Sequence, residues 1–280
     1  MPLPADQIEQ FRTQGYALAE GFFDARETAA MQAEIQRLQD DGKLYNVKTQ
    51  GDGTTASHDN VNLQLCPMGP RSPLFKALPF EPKVIDAVTS LIGPEIILHL
   101  DQVFLKPGLR GTGTSWHQDN AYFQIQNPMQ GTAMWIAVHD ATVANGTMRI
   151  LPAAFHTPLE HQRDPESNHH IRCYPENELD SIAFEMPAGS VGFFCYGTPH
   201  CTMANNTTRD RAGVALHFLT REAAATSPQT DDFVPDRDDR PALTGPDATH
   251  GVAEYGTDMR GRYTEELERL LAGGQPVGAS

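Results

Sequence analysis

The 280-residue chain is short of cysteine and of positive charge. Its four cysteines, Cys66, Cys173, Cys195 and Cys201, show no C-x-x-C spacing and are too sparse to staple a fold, which excludes a disulfide scaffold. Lysine and arginine number 21 against 36 aspartate and glutamate, a net charge of −15. Nucleic acid and anionic membrane surfaces both demand clustered cations, so neither is expected as a main partner. No window approaches the roughly 20 consecutive apolar residues of a membrane helix. Met1 to Gln10 has no basic region ahead of an apolar run. No signal peptide is therefore expected, and a cytoplasmic protein with reduced thiols follows. Internal repeats, hydrolase signatures and the G-x-x-x-x-G-K-[ST] phosphate loop are absent as well.

What is present fits an ordinary globular chain, with 39% hydrophobic and 20% charged residues. Three helices are expected before residue 93. They are Asp6 to Gln14; Asp24 to Asp41, opened by an Asp24/Glu27 capping box and closed at Gly42; and Glu81 to Ile92, with Pro82 in its first turn and Gly93-Pro94 at its end. A short strand, Tyr16 to Glu20, lies between the first two. From Ile96 the pattern changes to strands separated by Gly, Pro and Asn: Ile96 to Lys106, Ala133 to His139, Thr147 to Leu151, Ser190 to Tyr196 and Gly213 to Thr220. Polar residues dominate Glu160 to Asp180, read as a surface loop or a lid. Arg221 to Arg262 reads as irregular and Thr264 to Leu271 as a short helix. The expected organisation is one mainly β domain with flanking helices over 1–280. Its β core spans about 96–220, its N-terminal helices 5–92, and an irregular acidic segment 222–280. That last segment holds 12 acids against 5 arginines, a net −7.

Two H-x-D pairs occur, His99/Asp101 and His117/Asp119, a spacing that chance alone supplies once or twice in this composition. Residues i and i+2 of a strand share a face, so such a pair can hold two corners of one metal. Two histidines and a carboxylate on one face leave three open positions, the donor set of non-haem Fe(II) oxygenases. His99 and Asp101 sit mid-strand and read as structural. His117 and Asp119 follow a Gly-rich turn and precede the polar-aromatic stretch Asn120-Ala121-Tyr122-Phe123-Gln124, which reads as a strand opening onto a pocket. A third donor is available in His200, just after the apolar run Phe193 to Tyr196. A turn at Asn205 to Thr208 would bring Arg211 beside His200 on paired strands, where a guanidinium could bind a dicarboxylate through two parallel hydrogen bonds.

Together these residues resemble the phytanoyl-CoA dioxygenase family of Fe(II)/2-oxoglutarate oxygenases. The likeness runs from about Ala5 to Thr220. It takes in Gln7 to Tyr16, Lys106-Pro107-Gly108 ahead of Trp116-His117-Gln118-Asp119, Trp135, Asn145-Gly146-Thr147-Met148 before Leu151-Pro152 and His156, and His200 with Thr202 and Arg211. The resemblance implies a double-stranded β-helix, or jelly roll. It implies an iron site of His117, Asp119 and His200, which are also the catalytic residues. It further implies a co-substrate site of Arg211, Thr202 and Trp135. The upstream lysine of some members is missing from Asn60 to Gln64, and Gln102 or Thr114 is expected in its place. Asn120, Tyr122 and Gln124 are candidates to line the substrate pocket. The implied reaction consumes Fe(II)-bound 2-oxoglutarate and O2, releases succinate and CO2, and hydroxylates an unactivated C–H bond of a small molecule. Asp119 itself favours hydroxylation over halogenation. Two alternatives stand: a jelly-roll metal binder without oxygenase activity, and an oxygenase that desaturates or cyclises.

Overall fold

The N-terminal helices form where capping and apolar spacing agree. In the computed structural model, which describes residues 2–227 and 240–273, α1 (Ala5–Gln14) ends at Gly15, whose φ of +81° closes the helix. Strand β1 (Tyr16–Ala19) leads to α2 (Ala25–Asp40). The expected capping box is made: Asp24 accepts from the backbone N–H of Glu27, and Glu27 accepts from that of Asp24. The Glu27 carboxylate also takes an ion pair from Lys83 at 2.6 Å, tying α2 to α4 (Pro82–Ile92). Between them lie β2 (Tyr45–Asn46), β3 (Leu63–Leu65) and α3 (Pro73–Ala77).

The β core follows as β4 (Ile96–Lys106), β5 (Thr114–His117), the one-turn α5 (Asn120–Phe123), β6 (Gly131–Ala137), β7 (Met148–Ile150), β8 (Gln162–Arg163), β9 (Ile171–Arg172), β10 (Ile182–Ala183), β11 (Val191–Cys195), β12 (His200–Thr202) and β13 (Arg211–Thr220). Two larger antiparallel sheets result, ordered β1-β11-β6-β13-β4-β3-β2 and β10-β7-β12-β5, with β8 and β9 paired apart from them. Closed face to face the two larger sheets make the expected jelly roll. One face of the larger sheet is covered by helices and carries the main apolar core, which includes Phe11, Met31, Leu74, Phe75, Val88, Val103, Val214 and Phe218. The inner face meets the smaller sheet around Leu100, Phe123, Trp135, Ile150, Phe184 and Phe194.

The C-terminal segment is more regular than its composition implies. Described parts of it form α6 (Arg221–Thr226), α7 (Val252–Tyr255) and α8 (Arg262–Leu271). Tyr263 and Leu267 join the main core, and Pro241 accepts a hydrogen bond from the Leu98 N–H at the edge of β4. Few but well-spaced apolar residues are enough to dock a helix against a preformed surface. Of the 221–262 stretch expected to be irregular, residues 228–239 lie outside the described residues. Among those described, no helix is long and apolar enough to cross a membrane.

A single bulge in β4 keeps the first H-x-D pair, His99 and Asp101, from sharing a face. Leu100 faces His217 and Leu98 faces Phe218, so His99 is left over between them. The parity of β4 switches there. The His99 ring turns inward, edge-on to Phe123 at 4.5 Å, while the Asp101 carboxylate accepts from the Gly69 N–H at 2.6 Å. The pair never shares a face and holds structure, as its mid-strand setting suggested.

Candidate active site

His117 is the last residue of β5 and pairs across the smaller sheet with His200, the first of β12. That register sets their rings 4.2 Å apart. Asp119 differs from the expected strand geometry. Its backbone is already helical (φ −58°, ψ −32°), and its carbonyl accepts from the N–H groups of Tyr122 and Phe123. The chain thus turns out of the sheet immediately after His117, and the turn swings the carboxylate under both imidazoles. Asp119 Oδ1 lies 3.8 Å from His117 Nε2 and 3.7 Å from His200 Nε2. One donor atom from each of the three lies within 4.8 Å of the others.

Hydrogen bonding fixes which nitrogens are available. His117 Nδ1 sits 2.8 Å from the Ser115 carbonyl and His200 Nδ1 3.1 Å from the Thr198 carbonyl. A carbonyl only accepts, so both rings carry their proton on Nδ1, and their Nε2 lone pairs face Asp119. Burial lowers the pKa of His117 to about 3 and that of His200 to about 4, and so keeps both neutral. Burial raises Asp119, opposed by His217 and His117. Asp119 Oδ2 is buried with no hydrogen-bond partner. Two lone pairs and an unsatisfied carboxylate converging on one point fit a divalent transition metal.

A second cluster lies about 20 Å along β13 from His217, counting six residues of strand. Arg211 does not lie on a strand paired with that of His200, as the turn reading expected. Strand β12 belongs to the smaller sheet and β13 to the larger, so Asn205 to Thr208 crosses between sheets and the two residues face the cavity from different walls. Arg211 is 1% exposed and its guanidinium donates to the carbonyls of Gly146 and, at 3.4 Å, Asn145. Burial alone lowers its pKa, to about 10. The Trp135 ring lies beside it at 5.7 Å. Gly213 makes this possible, because a Cβ there would stand 2.6 Å from the indole nitrogen. Thr202 Oγ1 accepts from the Thr114 N–H at 3.0 Å, and Thr114 Oγ1 accepts from the Asn62 amide.

Lys106, paired with Arg211 across β4 and β13, is the residue that sequence reasoning passed over. It is 1% exposed, lines the same cavity, and donates to the carbonyls of Met203 (2.6 Å) and Gly146 (3.2 Å). Desolvation, then Arg211, lowers its pKa far below the usual lysine range. Among the described residues neither cation has a carboxylate within ion-pair distance. Asn60 to Gln64, where an upstream lysine was expected, holds none. The signal lay in Lys106-Pro107-Gly108 itself, since Gln102, Phe104 and Lys106 alternate onto one face of β4.

These residues line one cavity of about 770 Å³, including its open mouth. Tyr122 is part of its wall, and its hydroxyl accepts from the Ile171 N–H at 2.9 Å. Gln102 and Thr114 line it too. Asn120 and Gln124 do not. The spacing 120, 122, 124 reads as one face only on a strand, and this stretch is a helical turn. Asn120 spends its amide on the backbone of Ile125, and Gln124 is exposed. The 160–180 segment is an ordered cover: β8 and β9 pair, Asp164 accepts from the Ser115 hydroxyl at 2.7 Å, and His169 and His170 reach the cavity.

A β-sandwich that gathers two histidines and a carboxylate in one cavity with a buried arginine has the architecture of the facial-triad oxygenases. A family model described as phytanoyl-CoA dioxygenase (PhyH) matches residues 11–213. The chain belongs to that family, and with it to the iron- and 2-oxoglutarate-dependent dioxygenases. Ectoine dioxygenase of Bordetella parapertussis is 22% identical over 245 residues, covering 81% of this chain and 79% of the relative. Phytanoyl-CoA dioxygenase of Arabidopsis thaliana is 26% identical over 202 residues, covering 71% and 68%. Among solved structures, the alpha-ketoglutarate-dependent epimerase SnoN from nogalamycin biosynthesis superposes with a TM-score of 0.69 at 20% identity, over 86% of this chain and 98% of that one. EctD from S. alaskensis with 2-oxoglutarate and 5-hydroxyectoine gives 0.63 at 21% identity, over 79% and 77%.

Proposed function

We propose that the chain hydroxylates a C–H bond of a small-molecule substrate at an Fe(II) centre held by His117, Asp119 and His200, with 2-oxoglutarate and O2 consumed and succinate and CO2 released. The observation that carries this reading is the pair of buried cations, Lys106 and Arg211, in the cavity that contains the triad, with no carboxylate within ion-pair distance among the described residues. A metal binder without oxygenase activity has no use for them. Burying a lone cation costs several kcal/mol in effective terms, and a dicarboxylate seated between triad and cations supplies the missing counter-charge.

The chain's own residues have distinct parts in this. Arg211 and Lys106 hold the far carboxylate, Arg211 through a planar fork and Lys106 as a point charge. Trp135 backs the guanidinium, and the Thr202–Thr114–Asn62 chain fixes the wall beside it. Ser115 and Thr198 carbonyls lock the imidazole tautomers. Leu100, Phe123 and Phe194 exclude water from the reacting region. Iron, when bound, supplies the redox centre. Support for hydroxylation rests on Asp119, which occupies the carboxylate position and leaves no room for a halide. Anaerobic Fe(II) with 2-oxoglutarate should give a weak visible charge-transfer band, and a substrate panel should raise succinate release above its uncoupled rate. Folded protein that shows neither would refute the proposal.

A further inference from the structure

Three side chains on the cavity wall form a chain that ends on the triad. Gln64 Nε2 donates to Gln102 Oε1 at 2.8 Å, and Gln102 Nε2 lies 3.2 Å from His217 Nε2. His217 Nδ1 lies 3.8 Å from Asp119 Oδ2. All four residues line the cavity, and Gln64 and His217 are each 3% exposed.

The chain has a direction. The Gln102 carbonyl accepts from Gln64 Nε2, which leaves the Gln102 NH2 to face the His217 ring. Gln64 spends its NH2 on Gln102. Its Oε1 is left buried with no hydrogen-bond partner. Buried acceptors are rarely left so without a reason.

We propose that Gln64 determines substrate specificity: its Oε1 accepts a hydrogen bond from a neutral O–H or N–H donor on the primary substrate. The proposal rests on the oxygenase reading above and names the substrate class for that site. The neighbouring wall agrees with a neutral ligand. Apart from the triad carboxylate and the two co-substrate cations, the cavity is lined by amides, imidazoles, hydroxyls, a buried thiol and apolar groups such as Phe104 and Tyr122. A site built to accept a hydrogen bond rejects an analogue that lacks the donor far more strongly than a merely apolar pocket rejects a misfit.

The test starts from whichever neutral alcohol or primary or secondary amide in a broad panel most stimulates succinate release. That compound is compared with its O-methyl or fully N-methylated counterparts on the wild type, Gln64→Met and Gln64→Glu. The wild type should lose at least tenfold in kcat/KM when the critical donor is blocked. Gln64→Met should lose at least tenfold on the parent compound, mostly in KM, and should no longer distinguish it from the blocked one. Gln64→Glu, whose protonated form still donates to Gln102 and still offers a carbonyl, should restore the distinction. Equal turnover of blocked and parent compounds by the wild type, or an unchanged preference in Gln64→Met, would overturn the proposal. So would a panel stimulated only by charged or donor-free compounds. Far-UV circular dichroism and iron content should match the wild type in both variants, which shows that they fold, and the wild type should show uncoupled 2-oxoglutarate turnover. Its absence in the wild type would instead strike the oxygenase reading.

Discussion

The two ends of the cavity obey different rules. At one end Lys106 and Arg211 stand paired across β4 and β13, buried, with backbone carbonyls as their hydrogen-bond partners. About 13 Å back along β4, four residues of strand, Gln102 joins Gln64 and His217 in a chain of amides and an imidazole that leaves Gln64 Oε1 buried without a hydrogen-bond partner. The charged end is costly until an anion arrives, so its ligand is written in electrostatics. The neutral end is settled in the free protein, so its ligand is written in the direction of a single hydrogen bond. The triad adjoins the neutral end, where His217 Nδ1 lies 3.8 Å from Asp119 Oδ2, and shares one cavity with the charged end.

The comparison breaks most completely if the triad is removed, because both ends are then left without a reacting centre. His117→Ala should abolish iron binding and turnover together, as read by iron content after gel filtration and by succinate release. Retained activity would show that the convergence of His117, Asp119 and His200 is incidental. Arg211→Ala tests the charged end alone. Truncating one partner of a buried charge interaction costs about 2–5 kcal/mol, so the KM for 2-oxoglutarate should rise about 100-fold while iron content stays near that of the wild type. Loss of iron there would mean that Arg211 supports the fold of the triad and not the co-substrate.

Much of this was legible in the sequence, and the failures have causes. Helix starts and the long strands carry their signals locally: the Asp24/Glu27 box and Pro82 mark α2 and α4, and Ile96–Lys106 is β4 to the residue. The triad was legible through spacing and resemblance combined. What escaped depends on the third dimension. Sheet membership of β12 and β13 cannot be read from a hairpin-like turn, since the same turn can pair two strands or carry the chain from one sheet to the other. The helical turn after His117 rests on carbonyl bonds from Asp119, and a two-residue period mistook it for strand, misplacing Asn120 and Gln124. Lys106 needed the parity of β4 after its bulge. His217 reads as an isolated histidine until the folded sheet sets it against Asp119.

A smaller effect concerns acid. His117 and His200 titrate near 3 and 4 in the folded chain, against about 6.5 when unfolded. Between those values the unfolded chain binds more protons, so stability rises with pH across the window, is fully present above about 6.5, and is lost as pH falls. At pH 5 each imidazole should cost about 2 kcal/mol relative to pH 7. Calorimetry of the metal-free protein should show this loss, and His117→Ala should lessen it. An unchanged pH profile in that variant would mean that the His117 ring is reached by solvent protons in the folded state.

The subtlest test is Lys106→Met, because it should move stability and binding in opposite directions. The substitution removes a lone buried ammonium whose pKa is already pushed far down by desolvation. Replacing a buried ion with an apolar side chain of similar length is often neutral or stabilising. The opposing cost is the Met203 carbonyl, which loses its donor, worth about 1–3 kcal/mol; Gly146 keeps Arg211. The ligand-free Tm should therefore hold or rise by a few degrees, while the KM for 2-oxoglutarate rises about tenfold, less than for Arg211→Ala because a point charge is lost and the fork remains. The sign of the pH response gives a check. A lysine depressed in the folded state leaves the unfolded chain holding more protons up to about 10.4, so wild-type stability gains from Lys106 as pH rises towards that value, and the methionine variant should lack this gain. A fall in Tm with unchanged KM would make Lys106 a tether between Gly146 and Met203, and the charged end would then consist of Arg211 alone.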